Sequence, residues 1–235
     1  MPILSTLEEL RYRAIRNSSK KYKGLEPALK RREFAQRLLK GRQMDREGTW
    51  GVSFDASLEH ISKEVYHLDL LKEILTHQAK RTKGYTFLDL GGGSGRLASD
   101  VAGKISPKTT ILLAAIARND ALWRSQPRGQ RIRPIITHME QLSKKLPPKS
   151  VDFINASYSI LHAQHVWKAL GECRTVLKKG GRIIFNMGSL SNGFERQNEF
   201  QQPPQGFKFV MPPKEVTVKK GPFEFGDTII YLEKI

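Results

Sequence analysis

From residue 85 onward, apolar residues fall alternately into short continuous runs and into stripes of helical spacing. The runs Tyr85–Leu90, Thr110–Ala117, Arg131–Thr137, Val151–Ala156 and Arg182–Met187 have strand length, and their near-continuous apolarity suits strands covered on both faces. Between them lie helical segments at Ser94–Ala102 and Asn119–Arg124, and a longer helix with Val166, Leu170, Cys173 and Leu177 on one face, stopped at Lys178-Lys179-Gly180-Gly181. This alternation predicts an α/β protein with a mainly parallel sheet. Glu215–Val218 and Phe223–Leu232 read as a closing antiparallel pair that turns at Lys219-Lys220-Gly221-Pro222, with an exposed loop at Gln201–Gln205 before it. Ahead of the first strand, Leu58, Ile61, Val65, Leu68, Leu71 or Lys72, and Leu75 form the stripe of one long helix, capped by Asp55 or Ser57 and ended near Gly84.

The N-terminal stretch breaks this pattern. Residues 11–46 carry thirteen lysines or arginines against three acids, more than half of the chain's net charge of +17. Leu7, Leu10 and Ala14, then Leu25, Leu29, Phe34 and Leu38, sit at helical spacing, so two short basic helices with narrow apolar faces are expected. The division that follows is a basic helical extension, 1–54, and a folded domain, 55–235. A polyanion is the favoured partner of such a charge, nucleic acid first and an anionic membrane surface second. A merely solvated arm is the alternative. Trp50 and Phe54 beside the arm either stack on bases or pin the extension to the domain.

Cys173 is the only cysteine, which excludes an intramolecular disulfide and a multi-cysteine zinc site and fits a reducing compartment. No apolar run reaches the roughly 18 residues that span a bilayer. The Arg-, Lys- and Ser-rich start, 1–24, resembles an organelle transit peptide, but Glu8 and Glu9 oppose that. A cytoplasmic location is expected, with a mitochondrial one as the alternative. His60, His67 and His77 do not pair with acids as metal ligands do and read as surface or packing residues.

The first strand ends on Asp89 and passes through Leu90-Gly91-Gly92-Gly93-Ser94-Gly95 into a helix. A P-loop would need Gly-Lys-Ser/Thr here, and a dinucleotide fingerprint a third glycine where Arg96 stands. The pattern apolar-Asp-apolar-Gly-x-Gly-x-Gly resembles instead the first motif of class I S-adenosylmethionine-dependent methyltransferases. Val151–His162, followed by a helix ending Arg174-Thr175-Val176-Leu177-Lys178-Lys179-Gly180-Gly181, resembles the fourth-to-fifth-strand segment of the same family, and in particular its small-molecule branch, with Lys179 in place of a proline.

The resemblance implies a Rossmann-like seven-stranded sheet of order 3-2-1-4-5-7-6 and S-adenosylmethionine as cofactor. Asp89, Gly91, Gly92, Gly93, Ser94 and Gly95 would face its methionine part, and Asn155, Ala156 and Ser157 would border the transferred methyl. Two departures stand out. Where the family places an acid on the ribose hydroxyls this chain has Ile116 or Ala117, with no carboxylate before Asp120, and His138 stands where an acid often reads the adenine, with Met139 beside it to pack on the ring. His162 is a candidate base for an acceptor that must lose a proton. Arg118, Arg124, Arg128, Arg131 and Arg133 extend the basic character toward the sheet, so methylation of an anionic substrate, RNA, is the leading reading. A methyltransferase fold without catalysis, binding RNA or protein, is the rival, and a small-molecule methyltransferase a further alternative.

Overall fold

The structure, a computed structural model, describes residues 57–82, 84–115, 120–128, 131–160, 163, 165–187, 200–220 and 223–235, and the side chains of these except at 120–122, 218–220 and 223–226. The N-terminal extension therefore lies outside the described residues. The remainder forms a seven-stranded sheet of order β3-β2-β1-β4-β5-β7-β6. The strands are β1 (Thr86–Leu90), β2 (Thr110–Ala115), β3 (Ile132–Ile136), β4 (Val151–Ala156), β5 (Leu177–Asn186), β6 (Phe207–Lys220) and β7 (Phe223–Lys234). The first five pair in parallel, and β7 runs antiparallel between β5 and β6. This is the Rossmann-like order that the family resemblance implies.

The helices α1 (Leu70–Ala79), α2 (Arg96–Lys104), α3 (Asp120–Ser125) and α4 (Val166–Val176) cover the faces, with a 3₁₀ stretch at Met139–Lys144. One core contains Leu88, Ile154, Leu170, Cys173 and Phe185 beneath α4. The other contains Ile74, Phe87, Leu97, Val101 and Phe153 beneath α1 and α2. Cys173 packs in the first, with its thiol pushed up by burial, which fits a structural residue.

Three local differences from the sequence expectation have clear causes. The long helix before β1 is interrupted: a helical turn at Leu58–His60 runs into a π-helical turn at Ile61–Val65, and Asp69 caps a new helix by accepting from Lys72 N–H at 3.0 Å. His67, with φ of 48°, turns the chain between them. The phase of the stripe shifts there, so Leu70, Ile74 and His77 are buried and Leu75 is exposed. Strand β5 begins directly after α4 and includes Lys178-Lys179-Gly180-Gly181, with an irregular register against β4. The C-terminal hairpin is far longer than the closing pair expected, reaching from Phe207↔Lys234 to Lys220↔Phe223.

Both outer strands carry proline, Pro134 in β3 and Pro212-Pro213 in β6, where the register against β7 also slips. At the amino edge of the sheet, Asp152 is fully buried and accepts from Thr86 N–H at 2.9 Å and from Lys178 Nζ at 2.6 Å. His77 lies nearby, its ring nitrogens 2.9 Å from Tyr85 Oη and 2.8 Å from the Gly180 carbonyl, so it is a packing residue held neutral by burial. No helix among the described residues is long and apolar enough to cross a membrane, and no group of three or more His, Cys, Asp or Glu among them could hold a metal ion.

Candidate cofactor site

The site begins at the carboxyl edge of the sheet, between β1 and β4, where the strand order reverses and open α/β sheets bind ligands. Gly91, Gly93 and Gly95 all take left-handed φ, of 74°, 45° and 73°. At Gly91 the requirement is double, because a Cβ there would also lie 2.3 Å from Ser159 Cβ in the loop after β4. At Gly92 it is one of space: a Cβ would sit 2.3 Å from Asp89 Oδ2 and 2.4 Å from Leu113 Cδ1. Ser94 Oγ accepts from Arg96 N–H at 3.3 Å, and Gly95 is the N-cap of α2 without a side-chain partner for the helix. Trp123 of α3, buried against the turn, donates Nε1–H to the Gly93 carbonyl at 2.9 Å and so fixes its path.

Beneath the turn lies a buried polar network. Tyr66 Oη donates to Asn155 Oδ1 at 2.8 Å, and Asn155 Nδ2 donates to Asp89 Oδ1 at 2.9 Å and to Ser157 Oγ at 3.2 Å. Burial pushes the Asp89 carboxyl up to about 6, against the Asn155 amide and the Ala98 backbone N–H, which favour its charge. Burial and the Asp89 charge push the Tyr66 phenol well up, so it stays a donor. Asp89 Oδ2 and Ser159 Oγ, both buried beside the glycines, have no hydrogen-bond partner. Buried polar atoms are rarely left so, and an orphaned carboxylate oxygen at a glycine turn fits a ligand that brings an ammonium. The residues present therefore fit the methionine end of the cofactor this fold implies.

The other residues singled out by sequence are distributed unevenly. Asn155 and Ala156 are fully buried, Asn155 acting through Asp89, while Ser157 is half-buried at the rim. His138 is half-buried, kept neutral by burial, and its Nδ1 accepts from Glu140 N–H at 3.4 Å as the cap of the 3₁₀ stretch. Met139 packs into the core beneath α4. Ile116, Arg118 and His162 lie outside the described residues, as does the side chain of Asp120. Arg124, Arg128 and Arg133 are exposed. Arg131 is occupied at the far end of α2, donating to the Ala102 and Ser106 carbonyls, which satisfies that helix end.

A second buried acid is not apparent from the sequence. Asp227, only 2% exposed near the start of β7 and at the carboxyl edge of the parallel strands, accepts from Asn186 Nδ2 at 2.6 Å and from Thr228 N–H at 2.8 Å. Burial pushes it up to about 6, opposed by these same donors. Asn186 Oδ1 in turn accepts Tyr158 N–H at 2.7 Å. Tyr66 is equally inconspicuous in the sequence. Asp227 lies far along the chain from the glycine motif and is brought to it by the sheet order, whereas Tyr66, ahead of β1, reaches it through Asn155.

This sheet order and turn define the class I methyltransferase fold. Residues 88–185 match the family model described as a methyltransferase domain. No curated protein is a match by sequence. Among solved structures, TrmN from Thermus thermophilus is 21% identical with a TM-score of 0.49, over 71% of this chain and 48% of that one. Geranyl diphosphate C-methyltransferase from Streptomyces coelicolor A3(2), solved with Mg²⁺, geranyl diphosphate and S-adenosyl-L-homocysteine, is 12% identical with a TM-score of 0.52, over 73% and 81%. The CurJ carbon methyltransferase is 15% identical with a TM-score of 0.54, over 78% and 56%. The chain thus spans about half the length of TrmN and CurJ. S-adenosylmethionine is the cofactor that this family and fold imply.

Proposed function

We propose that the protein transfers a methyl group from S-adenosylmethionine to an anionic acceptor, RNA. The observation that carries the cofactor half is the orphaned oxygen of Asp89 beneath an intact glycine turn. The cofactor supplies an activated methyl, and the chain's task is alignment. Asn155 and Tyr66 orient the Asp89 carboxylate, ionised at neutral pH, toward the methionine ammonium. Trp123 fixes the turn, and Ser157 borders the acceptor side. His162 is the proposed base where the acceptor nitrogen or oxygen carries a proton.

The net charge of +17, concentrated in residues 11–46, supports RNA as the substrate class, together with exposed Arg124, Arg128 and Arg133. Neutralising Z phosphates of single-stranded RNA makes log K fall with log salt at a slope of about −0.7Z. Titration of the full chain with S-adenosylmethionine by calorimetry, and with RNA at several salt concentrations, tests both halves. Cofactor binding and a steep salt slope are expected. A flat slope refutes RNA and favours a small-molecule acceptor. Absence of cofactor binding at millimolar concentration refutes the enzyme and favours the non-catalytic binding module, a reading motivated by Ile116 and Ala117 where a ribose-binding acid is expected.

A further inference from the structure

The loop that leaves β4 has a shape its own residues do not favour. Tyr158 takes φ of 50°, a left-handed backbone that is a genuine outlier for a bulky residue and that persists only where the surroundings impose it. Two contacts do so. Its N–H is held at 2.7 Å by Asn186 Oδ1, and the next residue, Ser159, is pressed against Gly91 of the cofactor turn.

Asn186 is in turn held by Asp227. An ionised carboxylate only accepts hydrogen bonds, so Asp227 Oδ2 obliges the Asn186 amide to present Nδ2 to it and leaves Oδ1 for Tyr158. Asp227 is itself fixed by Thr228 N–H. The Tyr158 ring, half-buried, packs against the core that contains Tyr66. Its phenol is kept protonated by burial and by the Asp227 charge, so it offers an aromatic face and a neutral hydroxyl but no base. The ends of β4 and β5 and residue 227 of β7 meet at the carboxyl edge of the sheet, beside the cofactor turn.

We propose that Asn186 and Asp227 are a positioning pair that locks Tyr158 in its left-handed conformation on the acceptor side of the cofactor turn, and that the Tyr158 ring is the surface a planar methyl acceptor meets. This rests on the methyltransferase reading above and deepens it: a neutral phenol ring suits a heteroaromatic acceptor such as a nucleobase, which stacks on aromatic side chains. A polyanion without bases would have no use for it.

Donor and acceptor logic supplies the test. In D227N, the new side-chain amide gives its oxygen to Thr228 N–H and turns its amine toward Asn186, which must turn over and set its own amine against Tyr158 N–H. In the double variant N186D/D227N the acceptor pattern is restored, because the carboxylate introduced at position 186 accepts both from the amide at position 227 and from Tyr158 N–H. Hydrogen exchange of the Tyr158 amide, thermal melting and calorimetric titration with S-adenosylmethionine are measured on the full chain, along with transfer of labelled methyl to bulk cellular RNA.

Protection of the Tyr158 amide is expected to fall about tenfold in D227N, the scale of one lost hydrogen bond, and to return in the double variant. Methyl transfer should follow the same pattern while the affinity for S-adenosylmethionine stays constant. Y158A should keep that affinity and raise the KM for RNA. Unchanged protection in folded D227N, or a folded double variant that does not regain it, overturns the positioning pair. If D227N does not fold, the double variant alone carries this comparison with the wild type. Normal methyl transfer by Y158A overturns the acceptor role. A wild type that binds no cofactor overturns the methyl-transfer reading and the acceptor role with it, while the exchange pattern still decides the positioning pair.

Discussion

Asp89→Asn separates what the buried acid does for binding from what it does to stability. The wild-type carboxyl is pushed up from 3.8 to about 6, chiefly by burial. A folded-state value above the unfolded one means that between these two pH values the native state binds more protons than the unfolded chain, so stability falls as pH rises through that window and is level above it. The rise from 3.8 to about 6 corresponds to roughly 3 kcal/mol. D89N has no ionising group there and should lack this fall. Its absolute stability at pH 7 changes less, because the new amine replaces Oδ2 without a partner, at a cost of about 1–3 kcal/mol. The slope is therefore the decisive quantity. Urea unfolding of both proteins at intervals from pH 4 to 7.5 should show the wild type losing about 2 kcal/mol more than the variant across this range. Asp227, also at about 6, is present in both and cancels. S-adenosylmethionine affinity at pH 7.5 should drop about tenfold to a hundredfold, the value of a charged hydrogen bond. Parallel pH slopes, or equal cofactor affinity, would refute the picture of a buried carboxylate with one oxygen held for a ligand.

Gly91→Ala combines a left-handed backbone with the 2.3 Å approach to Ser159 Cβ; about 1–2 kcal/mol from the first and 1–3 from the second should lower the thermal midpoint by several degrees in a circular-dichroism melt. Tyr66→Phe removes the donor to buried Asn155 Oδ1 and should cost about 1–3 kcal/mol in urea unfolding, with weaker cofactor binding because the Asn155 amide is no longer oriented. Lys178→Met leaves buried Asp152 with Arg81 Nε at 3.5 Å as its remaining cation. The loss should be about 2 kcal/mol, below the 3–5 typical of a fully buried pair because the lysine is partly exposed, and cofactor affinity should not change.

The sheet is legible in the chain because its strands are buried on both faces and read as continuous apolar runs, while Gly91–Gly95 and Val151–Ala156 fix two strand ends on the site side. The helix before β1 reads as continuous because Leu71 and Leu75 keep the spacing of Leu58 and Ile61. Nothing in that spacing reveals that His67 turns left-handed and Asp69 restarts the helix. The glycine turn and Asp89 stand out in the sequence because they are local. Tyr66, Asn186 and Asp227 do not, because their roles depend on sheet neighbours up to 118 positions away, as in the contact of Tyr66 with Ile184. Asp227 in particular looks like one more acid in a hairpin, and only its burial at the strand edge marks it out.

The prolines of the two outer strands have a consequence for how the protein meets others. An exposed strand edge is a template for another chain, and a sheet open at both rims invites runaway growth. Pro134 withholds an amide on one rim, and Pro212-Pro213 together with the register slips interrupt the other. Among the described residues, the ladder is thus interrupted on both rims. Recognition is thereby left to side chains and charge, and a concentrated solution of so basic a protein is guarded against fibril-like stacking even when counter-ions screen its self-repulsion.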